Sequence, residues 1–288
     1  MICNLCPRSC NATRDDKNAN GFCKCESTMK VARIAPHYWE EPCISGKNGC
    51  GAVFFSGCTL KCVYCQNAEI SHDNNGRYIS ETELSDEIKR LEDMGVHTIE
   101  FVSPTHYVDN IIKTLDIYKP RVPVIYNSSG YEKPETIRKL DGYVDVFLPD
   151  FKYSDDKLAL RLSNCHNYPS TAIDTISEMI VQQPQCKFDS NGIITNGVVI
   201  RHLVLPNHTK NSIEVLKLIK AHFSGKVLVS LMGQYIPHFN SDAHPDINRK
   251  ITLREYNKVL DELINLDLDG FAQELTSADE SYIPQWEY

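Results

Sequence analysis

The chain has 288 residues, long enough for one large α/β domain with a sizeable core. An apolar share of 42% and a charged share of 24% are ordinary for a soluble globular protein. The formal net charge of −8 argues against a nucleic-acid partner held by phosphate neutralisation, and no apolar run approaches a membrane span. Twelve cysteines are many for this length, yet the N-terminal residues show no signal-peptide apolar stretch. A cytoplasmic location is therefore expected, where clustered cysteines indicate metal rather than disulfides.

In chain order, residues 1–50 are Cys-rich and irregular and read as a separate N-terminal extension, with the main domain over 51–288. Ala52 to Phe55 reads as a buried strand that feeds a cysteine loop. A helix is predicted over Ser80–Met94, with Ser80 and Glu83 as a capping box and Gly95 at its stop. Thr98–Val102 is a strand, Val108–Tyr118 a helix, Val122–Tyr126 a strand, and Pro134 opens a helix. Val144–Leu148 is the fourth strand, followed by helices around Asp155–Leu162 and Ser170–Gln182. Asn191-Gly192 and Asn196-Gly197 signal turns around a hairpin excursion. A strand over Val198–Leu205, a helix over Ser212–His222, a strand over Val227–Leu231 and a helix over Thr252–Leu266 complete the rhythm. Six strands alternating with helices imply a parallel sheet flanked by helices, either doubly wound or closed into an arc.

The chemistry is concentrated in Cys58-Thr59-Leu60-Lys61-Cys62-Val63-Tyr64-Cys65. Three thiolates at C-x3-C-x2-C spacing on one loop can hold three irons of a [4Fe–4S] cluster. The loop carries no fourth cysteine, so one iron stays open to an outside ligand. A structural zinc site in a non-catalytic protein is the alternative, but it requires four ligands and only Cys62 and Cys65 form a C-x2-C pair. A second set, Cys3-x2-Cys6-x3-Cys10 followed by Cys23 and Cys25, offers up to five thiolates, and four of them, Cys3, Cys6, Cys10 and Cys23, can make a zinc site or hold an auxiliary Fe–S cluster. That hydrophobe-poor segment needs such a staple to fold. Cys43, Cys50, Cys165 and Cys186 are isolated and read as plain thiols. Asp150 and Lys152, two apart on extended chain, point the same way. Arg201 lies inside an apolar strand, where it needs a partner.

The cysteine loop resembles the signature of the radical SAM superfamily. Further runs, Cys3-x2-Cys6-Pro7-Arg8-x-Cys10, Glu40-Glu41-Pro42, Cys65-Gln66-Asn67, Pro104-Thr105-His106, Met232-Gly233-Gln234-Tyr235 and Tyr282-Ile283-Pro284, are similar to an uncharacterised radical SAM family homologous to pyruvate formate-lyase activating enzymes. The resemblance implies a partial (β/α)6 barrel with chemistry at the C-terminal strand ends. It implies S-adenosylmethionine (SAM) bound at the open iron and cleaved by one electron to methionine and a 5′-deoxyadenosyl radical. Tyr64 and Asn67 are then expected near the cofactor, Tyr64 beside the adenine. Ser103 and Thr105 stand where many relatives carry a Gly-Gly-Glu run for the methionine amino group. Asn127 and Ser128 occupy the place of a polar run in activating enzymes, with Asn replacing the Asp of an inferred cation site. Lys152 and Arg201 are expected to pair with the SAM carboxylate, and Asp150 to hold a cation or a ribose hydroxyl. His106 and His202 flank the site.

An electron donor such as flavodoxin or ferredoxin is implied. The target is a peptide or small molecule modified directly, or a glycyl radical protein that the enzyme activates. The ferredoxin-like insert and the His after the third Cys, both common in relatives, are absent here, where Gln66 follows Cys65.

Overall fold

The central strands are buried on both faces and send alternate side chains to opposite sides of the sheet, and that parity organises the molecule. The computed structural model describes residues 2–16, 18–273, 275 and 286. The Tyr282-Ile283-Pro284 run lies outside them. Strand β1 (Met29–His37) leads through the short α1 (Pro42–Ser45) into β2 (Cys50–Phe55). After the cysteine loop come α2 (Ala68–Ser71), β3 (Arg77–Ile79) and α3 (Glu81–Asp93). Strand and helix then alternate through β4 (Thr98–Val102), α4 (Val108–Ile117), β5 (Val124–Ser128), α5 (Pro134–Arg138) and β6 (Val146–Pro149). Helices α6 (Asp156–Ser163) and α7 (Tyr168–Gln182) precede the hairpin of β7 (Lys187–Phe188) and β8 (Ile194–Leu203). The chain continues through α8 (Thr209–Phe223), β9 (Leu228–Met232), α9 (Leu253–Asn265) and β10 (Gly270–Ala272).

The sheet runs β10-β9-β8-β6-β5-β4-β2-β1-β3, with β7 on β8. The six predicted parallel strands are β2, β4, β5, β6, β8 and β9, and every neighbouring pair among them is parallel. The fold is thus the expected α/β partial barrel, extended by a further parallel strand, β10. On the outer face Val53, Phe55, Ile99, Phe101, Val124, Tyr126, Ile200 and Val229 pack against the helices. The inner face carries Ala52, Phe54, Val102, Ile125, Leu148 and Val199.

Both predicted capping boxes are present: Ser80 with Glu83 opens α3, and Thr252 with Glu255 opens α9. Two expectations are corrected. The boundary drawn at residue 50 falls inside the sheet, because β1 pairs antiparallel with β2 along its length. The turn expected at Asn196-Gly197 is strand instead. Gly197 is required there because a Cβ would lie 2.6 Å from the Cys186 sulfur, with φ at +134°. The hairpin turns earlier, where the Gly192 N–H donates to the Asp189 carbonyl at 3.2 Å.

Candidate active site

The parity that buries Ile99 and Phe101 outward turns Glu100 inward, and the same rule turns Asn127 and Arg201 inward from β5 and β8. Asp150 follows β6 and bridges to Arg201 in parallel register. These residues meet as one buried network. The Arg201 guanidinium donates through Nε to Asp150 Oδ1 at 3.1 Å, through Nη1 to Glu40 Oε2 at 3.1 Å, and through Nη2 to Asn127 Oδ1 at 2.5 Å. Asn127 in turn donates to Glu100 Oε1 at 2.6 Å, and the Cys50 thiol donates to Glu100 Oε2 at 3.2 Å. The Lys152 ammonium pairs with the second Asp150 oxygen. Burial works against the charge on Lys152, but Asp150 outweighs it and holds the ammonium above its usual range. Burial likewise opposes the Asp150 carboxylate, and Lys152 with Arg201 overcomes it, so Asp150 stays ionised. Burial, reinforced by Glu100, pushes Glu40 well up.

The network floors a cleft of about 230 Å³ at the C-terminal strand ends. Cys62, Tyr64, Cys65, Gln66 and Asn67 form one wall of it. Ser163 Oγ donates to Cys62 Sγ at 2.9 Å, and Ser71 Oγ lies 3.2 Å from Cys65 Sγ. Tyr64 Oη meets Tyr153 Oη at 2.6 Å, and Tyr153 Oη meets Ser163 Oγ at 2.6 Å. Since Ser163 gives its proton to sulfur, the hydroxyls order as a relay, Tyr64 to Tyr153 to Ser163 to Cys62. Burial raises the thiols of Cys58 and Cys62 to about 11 and that of Cys65 as well. Among the described residues no three His, Cys, Asp or Glu side chains are drawn in to metal-ligating distance.

Tyr64, Asn67, Asn127, Asp150, Lys152 and Arg201 all line the cleft. Thr105 and Ser128, both expected near the cofactor, turn their hydroxyls to the buried Glu132 carboxylate. Thr105 Oγ1 donates to Glu132 Oε1 at 2.9 Å and Ser128 Oγ to Glu132 Oε2 at 3.0 Å, because the buried carboxylate needs donors. Burial raises Glu132 to about 7. Ser103 lies off the cleft lining, with φ at +55° and its N–H given to the Asn127 carbonyl at 2.9 Å. Arg201, expected to pair with the SAM carboxylate, has three side chains of the protein already on its guanidinium. His106 and His202 are buried and neutral: burial lowers His106 to about 3 and His202 to about 4. Sequence reasoning named Glu40 only within the Glu40-Glu41-Pro42 run, without a role, and did not single out Glu100, Tyr153, Ser163 or Ser71. Only Glu100 announced itself, as a carboxylate inside an apolar strand, the same signal that marked Arg201.

Three thiol donors on one loop, two of them opening onto a cleft floored by paired cations, suit a site-differentiated iron–sulfur cluster with an amino-acid cofactor beside it. The sequence profile of the radical SAM superfamily matches residues 52–219, and the chain belongs to that superfamily. The uncharacterised protein MJ0674 of Methanocaldococcus jannaschii is 31% identical over 280 residues, covering 92% of this chain and 76% of that protein. Among solved structures, Streptococcus suis SuiB bound to precursor peptide SuiA aligns with a TM-score of 0.52 at 16% identity, covering 77% of this chain. The chain spans about half of SuiB, 48% of its length. Methylornithine synthase aligns with a TM-score of 0.51 at 12% identity, covering 80% of this chain and 72% of that one. At such identities these likenesses show the fold alone.

Proposed function

We propose that the protein cleaves SAM reductively at a [4Fe–4S] cluster held by Cys58, Cys62 and Cys65, and uses the radical to take hydrogen from a peptide or small molecule in the cleft. The observation that carries this reading is the meeting of the cysteine wall and the Asp150–Lys152–Arg201 network in one cleft at the strand ends. When bound, the cluster and SAM together supply a one-electron cleavage of the sulfonium. The chain's own residues position and insulate. Lys152 has three ammonium donors and gives one to Asp150, so it can reach the methionine carboxylate. Arg201, already fixed by Asp150, Glu40 and Asn127, adds its charge without needing to reorganise on binding. Tyr64 and Tyr235, edge to face with centroids 5.8 Å apart, wall the cleft and suit an adenine ring.

Anaerobic reconstitution with iron and sulfide, then SAM and dithionite, should yield 5′-deoxyadenosine. A Cys62→Ala variant that retains full turnover would overturn the assignment. Activation of a glycyl radical protein is a narrower reading, supported by the paired Asp150-x-Lys152. It requires an EPR doublet on such a protein and deuterium transfer from its labelled glycine into 5′-deoxyadenosine.

A further inference from the structure

We propose that Cys3, Cys6, Cys10 and Cys23 hold one tetrahedral zinc ion that clamps the N-terminal segment against the back of the Cys58–Cys65 loop. All four line a single enclosed cavity of about 10 Å³, together with Arg8, Arg14 and Thr59. A space of that size accepts roughly one water-sized sphere, hence one ion and not the eight atoms of a cubane cluster. Cys10 and Cys23 converge on Gly21, where a methyl would lie 3.6 Å and 3.8 Å from their sulfurs. Four thiolates at about 2.3 Å from one ion are the ligand set of a structural zinc site, and the proposal requires the segment to close on the ion as it binds.

The segment buries little apolar surface. From residue 2 to residue 28 the buried apolar side chains are Ala12, Cys23 and Cys25 among the described residues. A stretch with so little apolar burial does not order itself without a crosslink or a metal. Its charge environment also fits. Zinc with four thiolates carries two negative charges, and two guanidiniums border the cavity. Arg14 Nη1 lies 3.7 Å from Cys3 Sγ, and the buried Arg8 Nη2 has no hydrogen-bond partner. Cys25 lies off the lining of that cavity, with its thiol toward the Cys23 and Ser56 carbonyls at 3.2 and 3.5 Å.

The clamp reaches the active site through short contacts. Arg8 Nε donates to the Thr59 carbonyl at 2.9 Å, one residue past Cys58. Cys25 packs against Gly57, one residue before it. The same segment is tied to α5, where Thr136 Oγ1 donates to the Leu5 carbonyl at 2.7 Å. Zinc is redox-silent, so the role assigned to it is to hold the loop and not to relay electrons.

The test is independent of SAM cleavage. A full-length variant with Cys58, Cys62 and Cys65 all changed to Ala, purified anaerobically, should contain about one zinc and no iron. Its cobalt-substituted form should show the intense thiolate charge-transfer and tetrahedral d–d bands of a four-sulfur site. Cys6→Ser and Cys10→Ser in that background should each lower zinc affinity more than about tenfold. Should these variants fold poorly, displacement of zinc from the triple variant by a mercurial thiol reagent, read against the thiols freed, reports the same ligands. Iron and sulfide in the triple variant would replace zinc with an auxiliary cluster and overturn the proposal. Absence of any bound metal, or zinc retained undiminished by Cys6→Ser, would overturn it as well.

Discussion

Hydrogen bonds to a ligating sulfur stabilise its more negative, reduced state, so Ser163 is placed to raise the potential of a cluster held by Cys62. Ser163→Ala should lower that potential by roughly 40 mV, the equivalent of about 1 kcal/mol in a one-electron couple. EPR-monitored redox titration measures it, and an unchanged potential would leave Ser163 a packing residue. Arg201 makes a heavier demand. Removing it leaves Asp150 and Glu40 buried without their shared cation, so Arg201→Ala should lose about 3 to 5 kcal/mol of stability in urea unfolding. SAM affinity measured on the surviving folded protein should also fall. Arg201→Lys should recover only part of either, because an ammonium cannot serve three partners in the guanidinium plane. His202, with His106, contributes to the acid limit. Its ring Nδ1 lies 2.6 Å from the Phe151 carbonyl, and burial lowers its pKa from 6.5 to about 4. A depressed folded-state value contributes stability that is present above about pH 6.5 and lost as pH falls toward 4. Between pH 7 and 5 that loss is about 2 kcal/mol, and His202→Asn, which can keep the donor to Phe151, should remove it from the pH profile.

Among the elements, helix ends were readable because caps are local chemistry. The Thr252 side chain accepts from the Glu255 N–H at 3.2 Å, and Glu255 Oε2 accepts from the Thr252 N–H at 3.0 Å. Thr252→Ala should therefore cost about 1 kcal/mol in thermal or urea unfolding, with active-site binding unchanged. Strands with a long apolar run were equally readable. The short β3, β7 and β10 were not, because three residues or fewer carry no period, and their pairing comes entirely from the neighbour. Met29–His37 went unread as a strand for a different reason. It is broken by a register shift between Val31 and Arg33 and follows a cysteine-rich stretch that masks it.

Across the whole molecule, β1 makes the N-terminal segment part of the barrel. It covers the edge of β2 and carries β3 on its other side. A chain beginning at residue 51 would expose the apolar β2 edge, the liability of an unprotected strand. It should be insoluble or aggregated by size-exclusion chromatography, whereas a truly separable extension would leave a monodisperse domain. No described helix is long and apolar enough to cross a membrane.

Local chemistry and period were enough for the sequence to determine the cysteine loop, the strand–helix alternation, the capped helices and the anomaly of Arg201. Each of these is written in residues close together along the chain. Tertiary structure alone assigned the partners. Glu40 and Arg201 are 161 residues apart, and Ser163 and Cys62 are 101 apart. No spacing rule connects such pairs. Sheet register and strand parity bring Glu100, Asn127, Asp150 and Arg201 to one face, and only the packed barrel shows that Thr105 and Ser128 serve Glu132 instead. A buried charge must find its counter-charge wherever the fold has put one, and that choice is made by the fold as a whole.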